Sequence, residues 1–210
     1  MNILHIDSAV TGENSVSRSV TAAVVASLAA ADPSARIVHR DLEAQPIPHL
    51  DASSLGTLRP DLAKEGPGAE QLAVSTQALE EFLGADVIVI GAPMYNFGIP
   101  SQLKAWIDRI AVAGKTFTYT AQGPKGLAGG KTVIIASSRG GLYGEGSPAA
   151  GLDFVEPYLR AVFGFVGITE LSFIKAEGIA FGPDQRAAAL ASALEQASRA
   201  GAGSASRLAA

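Results

Sequence analysis

The sequence predicts an α/β fold in which five parallel strands form a doubly wound sheet with helices on both faces. Three observations predict it. Short apolar runs alternate with segments of helical spacing along the whole chain, the rhythm of repeated strand–helix–strand units. The clearest runs, Val87-Ile88-Val89-Ile90 and the stretch after Lys131, show no polar alternation, as expected of parallel strands covered on both faces. Charged residues make up only 17% of the chain, below the usual share of about 25%. Surface is therefore buried beyond the ordinary, either on both faces of the sheet or between subunits.

Taken in order, Asn2 to Ile6 reads as the first strand, followed by the loop Asp7-Ser8-Ala9-Val10-Thr11-Gly12-Glu13-Asn14-Ser15. A helix starts near Ser17 with Val20, Val24 and Leu28 on one face, and Asp32-Pro33-Ser34 ends it. Arg36 to Arg40 is the second strand. Ala44 to Gly68 holds Pro46, Pro48, Pro60 and Pro67 and reads as irregular; loops of such length are usually functional or interfacial. Leu72, Leu79, Phe82 and Leu83 mark the next helix, which Gly84 stops. Asp86 to Pro93 is a strand. Ser101 to Val112 is a helix with the stripe Leu103, Trp106, Ile107 and Ile110. Phe117 to Leu127, turning at Gly123-Pro124, resembles a hairpin. Lys131 to Ala136 is a strand, Gly140 to Gly151 a glycine-rich loop, and Val155, Tyr158, Leu159, Val162 and Val166 mark a helix. Leu171 to Ala176 is the last strand, and Asp184 to about Ser198 the last helix. One domain is expected over residues 1–200, with a frayed tail of small polar residues over 201–210.

Bulk properties exclude several classes of function. The net charge is −4 with no basic block, so nucleic acid is not an expected partner. The chain has no cysteine, which removes disulfides and thiolate chemistry. No apolar run approaches the ~20 residues that span a bilayer, and the chain opens directly on a strand, so no membrane association and a soluble, cytoplasmic protein are expected.

In such a sheet, ligands bind beyond the carboxyl ends of the strands, where the winding reverses. Three loops leave strand ends there, starting at Asp7, Pro93 and Ser137, and all are rich in Gly, Ser or Asn. The first offers hydroxyls at Ser8, Ser15 and Ser17 and opens onto a helix N-terminus, whose free amides suit a phosphate. Ala9 carries only a methyl group, so Ser8 is the lone hydroxyl at the strand end. Neither a Gly-Lys-Ser phosphate loop nor a G-x-G-x-x-G fingerprint is present. The alternative is that Ser15 or Ser17 is simply the helix N-cap. In the second loop, Met94, Tyr95 and Phe97 suit a flat apolar ligand, and Asn96 can donate and accept; alternatively, the loop is a buried aromatic turn. In the third, Ser138-Arg139-Gly140-Gly141 lets backbone approach a ligand, or is an ordinary turn with Arg139 on the surface. His5 reads as a core histidine, His39 lies in a strand and His49 in the proline-rich segment; so scattered, they predict no metal site. Trp106 reads as core, and Lys104 and Arg109 as a solvated face or a subunit contact.

Ser8 with Ser15-Val16-Ser17, Ala92-Pro93-Met94-Tyr95-Asn96-Phe97 and Ser138-Arg139-Gly140-Gly141 closely resemble the FMN-dependent NADH azoreductase family, which includes NADH:quinone oxidoreductases. The resemblance continues through Leu103-Lys104, Thr116-Phe117, Tyr119-Thr120, Gly164-Phe165, Gly167-Ile168-Thr169 and Ala176-Glu177-Gly178, so it covers nearly the whole chain. It implies a flavodoxin-like homodimer with one FMN per subunit at the interface. Ser8 and Ser15 to Ser17 would hold the phosphate and ribityl end, Met94 to Phe97 would flank the isoalloxazine, and Ser138 to Gly141 would meet its pyrimidine edge. Tyr119 and Phe163 or Phe165 would line the substrate pocket. The resemblance further implies ping-pong hydride transfer from NADH or NADPH through the flavin to quinones or aromatic azo compounds, with no side chain acting as nucleophile or base. Three readings compete with it: a quinone reductase with incidental azo activity, a flavodoxin-type electron carrier, and a regulatory protein without turnover. Carriers tend to be strongly acidic, and the charge of −4 is modest.

Overall fold

The computed structural model describes residues 1–58 and 68–208. Five strands, β1 (Asn2–Asp7), β2 (Arg36–Asp41), β3 (Val87–Gly91), β6 (Thr132–Ser138) and β7 (Glu170–Ala176), form one parallel sheet in the order β2-β1-β3-β6-β7. Strands β4 (Phe117–Thr120) and β5 (Gly123–Gly126) form a separate antiparallel hairpin, as their turn chemistry predicts. The helices are α1 (Val16–Ala31), the short α2 (Leu55–Leu58), α3 (Ala69–Gly84), α4 (Ser101–Ile110), α5 (Val155–Phe165) and α6 (Pro183–Leu208). The predicted doubly wound sheet is therefore present.

Strand alternation divides the core in two. Leu4, Ile6, Ile88, Ile90, Val133 and Ile135 face α3, α4 and α5, where Phe82, Trp106, Leu159 and Phe163 fill the layer. Ile3, Val87, Val89, Ile134 and Ile174 face α1 and α6. Strand β3 is buried along its length, which accounts for its unbroken apolar sequence. Edge strand β2 is mostly exposed. Pairing is in register, so Asp7 lies opposite Gly91, and Gly91 opposite Ala136. The carboxyl ends of β1, β3 and β6 thus stand level.

Three expectations are corrected. Helix α3 buries Ser75, Ala78 and Phe82, while Leu72 and Leu83, expected on its inner stripe, are exposed. The last helix does not stop near Ser198, and the tail expected to fray is helical to Leu208. Where the frayed tail was expected to begin, the helix packs closely on α1: Gly201 is buried, and an added Cβ would lie 2.6 Å from the Ser27 side chain. Gly201, read as the start of a disordered tail, is a point where the two helices approach closely. The third correction concerns Arg109, expected on a solvated face but fully buried. Its guanidinium donates to Ser75 Oγ at 3.0 Å, the Pro48 carbonyl at 2.8 Å and Gln71 Oε1 at 3.0 Å. Lys104, by contrast, pairs with Asp108 one turn along the exposed face of α4. Part of the expected irregular segment, residues 59–67 with Pro60 and Pro67, lies outside the described residues.

Arg109 therefore fastens the proline-rich segment to α3 and α4. Burial lowers its pKa, opposed by the nearby Asp51 and Asp108. Substituting Arg109→Ala is expected to lower the unfolding free energy by about 2 to 4 kcal/mol, since several charge-assisted bonds go at once. Urea unfolding reads this, and amide exchange around Pro48 should rise in the same variant.

Candidate functional site

The site is built where β1, β3 and β6 end. Ser15 is extended (φ −78°, ψ 123°), and its Oγ accepts from the Arg18 amide at 3.2 Å, so it is the N-cap of α1. Capping of this kind contributes about 1 kcal/mol. It uses an oxygen lone pair and leaves the hydroxyl hydrogen, so Ser15 caps the helix and still faces the cavity described below. Gly12, at φ +55°, lets the loop turn sharply before the cap. The amides of Val16 and Ser17 have no protein acceptor among the described residues. Two free amides at a helix N-terminus are the donor set that an anion needs.

Arg18 reinforces this loop from behind. It holds Asp41 with two bonds of 2.6 and 2.7 Å and also donates to the Ala9 carbonyl at 2.9 Å. Its guanidinium brings the Asp41 carboxyl down to about 2. Beside it, Asp7 receives the His39 Nε2 at 3.0 Å, and His5 Nε2 lies 3.3 Å away. His5 and His39, scattered in sequence, are cross-strand neighbours whose rings stack at 4.4 Å. Burial raises the Asp7 pKa, but the bonds and charge of His5, with bonds from His39 and Thr21, outweigh it and hold the carboxyl below its usual value. One ligand atom from each of His5, Asp7 and His39 lies within 4.8 Å of the others, a cluster that the scattered positions of the histidines in the sequence did not signal.

The second loop is a tight two-residue turn. Tyr95 and Gly98 exchange backbone bonds of 2.9 and 3.0 Å around Asn96 (φ 48°) and Phe97 (φ 71°). Left-handed backbone at both central residues defines a type I′ turn, tolerable for Asn. For Phe97 it costs on the order of 1 kcal/mol, a strain that gathers at functional sites. The Phe97 carbonyl also accepts from the Phe154 amide at 3.1 Å, which holds the turn shut. The Tyr95 hydroxyl accepts from the Val10 amide at 3.1 Å, and the Met94 amide donates to the Ser138 carbonyl at 2.8 Å. All three loops are thereby tied together.

In the third loop, the carbonyls of Arg139, Gly140 and Gly141 accept from Ile179, Ala180 and Gly178, at 3.1, 3.1 and 2.9 Å. The amides of Gly140 and Gly141 have no protein acceptor among the described residues. Arg139 is neither a surface residue nor a group open to a ligand. It is fully buried, its guanidinium pairs with Asp153 and Glu177 at 2.9 Å each, and its amide donates to Ala176. It positions the glycines and touches nothing in the cavity.

A cavity of about 320 Å³ lies between the loops, lined by Thr11, Asn14, Ser15, Val16, Pro93, Met94, Tyr95, Ser138, Gly140, Ile179 and Arg186. Of the residues expected at the site, Ser15, Val16, Met94, Tyr95, Ser138 and Gly140 line it. Asn96, Phe97 and Gly141 lie on the same loops but do not line it. Ser17 is buried, with its hydroxyl 3.1 Å from Ser15 Oγ. Ser8 departs from expectation: it is fully buried, and its hydroxyl donates to the Gly91 carbonyl at 2.6 Å, so its hydrogen is spent inside the fold. Phe163 also departs, being fully buried in the core and open to no substrate. Phe165 is 37% exposed and packs on Phe117, and Tyr119 is 69% exposed; neither lines this cavity. Sequence reasoning missed Thr11, Asn14, Ile179 and Arg186. The first two were legible as polar residues of the phosphate loop, and the last two lie too far along the chain to signal it.

Level strand ends, the order β2-β1-β3-β6-β7 and a cavity where β1 and β3 part define a nucleotide-cofactor protein of flavodoxin-like architecture. Comparisons with known proteins agree. A family model described as "Flavodoxin-like fold" matches residues 1–200. FMN-dependent NADH:quinone oxidoreductase 2 of Bradyrhizobium diazoefficiens is 58% identical over 199 residues, covering 94% of this chain and 97% of that one. An azoreductase from Bacillus anthracis superposes with a TM-score of 0.87 at 31% identity, covering 97% of this chain and 99% of that one. A FMN-dependent NADH-azoreductase of the same organism, solved in complex with FMN, gives 0.84 at 28% identity, with 100% and 99% covered. The chain belongs to the flavodoxin-like fold family, among the FMN-dependent NADH:quinone oxidoreductases. Among the described residues, no helix is long and apolar enough to cross a membrane.

The Arg18–Asp41 pair carries a testable pH signature. The folded-state pKa of Asp41 is depressed to about 2, against about 3.9 for an unfolded aspartate. Its contribution is therefore complete above about pH 4 and is lost as the pH falls toward 2. Denaturation midpoints of the wild type and Asp41→Asn should differ by a constant amount above pH 4 and converge on acidification.

Proposed function

We propose that this chain binds one FMN per subunit and uses NADH to reduce quinones and aromatic azo compounds. The observation that carries the reading is the presence of two free-amide sets on loops that line one cavity: Val16, which lines it, with Ser17, and Gly140, which lines it, with Gly141. The first set, with the Ser15 hydroxyl and the polar side chains of Thr11 and Asn14, suits a phosphate monoester. The second suits the electron-rich pyrimidine edge of a flavin, where fixed donors favour developing negative charge. Met94 and Tyr95 give the apolar wall that a fused ring needs. FMN, when bound, supplies the hydride-accepting and hydride-donating ring, which lets donor and acceptor be used in turn. The protein's part is to bind, orient and exclude water, and no residue of the cavity is arranged as a nucleophile with its base.

The reading includes a homodimer and a cytoplasmic location. Phe97, Leu142, Leu152 and Phe154 are 43, 48, 45 and 57% exposed around the mouth of the site. Next to them, an apolar groove of about 630 Å³ runs between α4 and α5, lined by Ile99, Phe154, Pro157 and Tyr158. Apolar surface gathered in this way marks an interaction site, which a second copy would cover. Size-exclusion chromatography with light scattering should give twice the chain mass.

The decisive experiment is a visible spectrum of the purified protein. Oxidised-flavin bands that bleach on anaerobic NADH addition and return with a small quinone are expected. A colourless protein that FMN does not reconstitute would overturn the reading. The Gly141→Val variant tests the amide assignment: an added Cβ would stand 3.3 Å from the Tyr143 ring, which itself packs edge-on against Phe97 at 6.4 Å. Its Kd for FMN should rise by roughly tenfold or more, about 1.4 kcal/mol, with little change in thermal stability.

A further inference from the structure

The phosphate end of the cavity poses a charge problem. A phosphate monoester carries about −1.5 to −2 charges at neutral pH, and every donor that the first loop offers is neutral. Arg18, the cation nearest in sequence, is not available. Its guanidinium is taken up by both oxygens of Asp41 and by the Ala9 carbonyl behind the loop. Arg139 is likewise closed off by Asp153 and Glu177.

One cation lines the cavity. Arg186 sits in the first turn of α6, far from the loop in sequence and next to it in space. Its Nη2 donates to the Asn14 carbonyl at 2.5 Å, one residue before the Ser15 cap. It is half-buried, and it pairs with no carboxylate among the described residues. A guanidinium has five N–H donors in a planar fork, so the one bond to Asn14 anchors it and leaves further donors on a side chain that lines the same cavity as Ser15 and Val16. A charge-assisted bond from a guanidinium to a phosphate oxygen is stronger than a bond between neutral groups.

We propose that Arg186 is the charge partner of the FMN phosphate, a binding residue supplied in trans to the phosphate loop by α6. The proposal rests on the FMN reading above and extends it, since it assigns the discrimination between FMN and its dephosphorylated form, riboflavin, to this side chain. Ser15 and the Val16 and Ser17 amides recognise the shape of the phosphate, and Arg186 recognises its charge.

The test compares the Kd values of FMN and riboflavin, by flavin fluorescence quenching, for wild type, Arg186→Gln and Arg186→Lys. In Arg186→Gln the Kd of FMN should rise about 10- to 100-fold, with that of riboflavin nearly unchanged. The salt dependence of FMN binding should weaken in the same variant. Arg186→Lys, which keeps the charge and loses the fork, should recover part of the preference. Overturning results are an FMN-to-riboflavin ratio unchanged in Arg186→Gln, an equal loss for both flavins, or a loss of FMN affinity with no change in salt dependence and no recovery by lysine. The last two would make Arg186 only a brace for Asn14. A wild-type protein that binds neither flavin would instead overturn the FMN reading itself, and this proposal with it.

Discussion

The level register of the parallel strands is the constraint on which the site depends. Because Asp7, Gly91 and Ala136 lie side by side, the loops that follow them start from one plane. Single hydrogen bonds then suffice to join them, from Met94 to Ser138 and from Val10 to Tyr95. A slip of one residue in β3 would exchange the faces of Ile88 and Ile90 with those of Val87 and Val89. It would also lift the strained turn at Asn96-Phe97 away from its partners. Core packing and site geometry are thus the same requirement, expressed on the faces of the sheet and at its end.

Around this frame the charged groups divide into those that hold the backbone and those that face the cavity. Arg18, Arg109 and Arg139 all belong to the first group. Each spends its guanidinium on carbonyls or carboxylates from distant segments: Ala9 with Asp41, Pro48 with Gln71, and Asp153 with Glu177. Asp153 works twice, since its other oxygen accepts from the Val155 amide at the start of α5. Arginine suits this work because its fork can satisfy several acceptors while staying charged. The 17% of charged residues are few, and several of them lie inside.

How far the sequence could be read follows from which signals are local. The central strands β1, β3 and β6 were legible because strands buried on both faces leave largely apolar runs, the edge strands β2 and β7 from their place between helical segments, and the hairpin from Gly123-Pro124. The three loops could be placed for the same reason. What could not be read depended on partners remote in the chain. Arg109 sits where helical periodicity puts the outer face of α4, yet the proline-rich segment folds over it. Leu72 and Leu83 have the right spacing for an inner stripe, but α3 turns Ser75 and Ala78 inward instead. Ser8 looked like a ligand contact because hydroxyls at strand ends commonly are, whereas its neighbour Gly91 supplies a carbonyl that takes the hydrogen. His5 and His39 met only through strand pairing. At the far end, α6 buries small residues, Ala193, Ala197 and Gly201, at four-residue spacing against the core and α1, a stripe too weakly apolar to stand out in its Gly-Ala-Ser composition.

The β4–β5 hairpin has a consequence for motion. A Cβ on Gly126 would fall 2.2 Å from the Gly167 amide nitrogen, so backbone lies directly on backbone there. Nearby, the Ala128 amide bonds the Val166 carbonyl at 2.9 Å, and the Leu127 amide bonds the Thr116 carbonyl at 2.8 Å. With no side chain between them, the base of the hairpin and the corner after α5 are held backbone to backbone. What can move quickly there is the Tyr119 side chain, 69% exposed on the hairpin, on the picosecond-to-nanosecond scale of exposed side chains and not the slower scale of swinging loops.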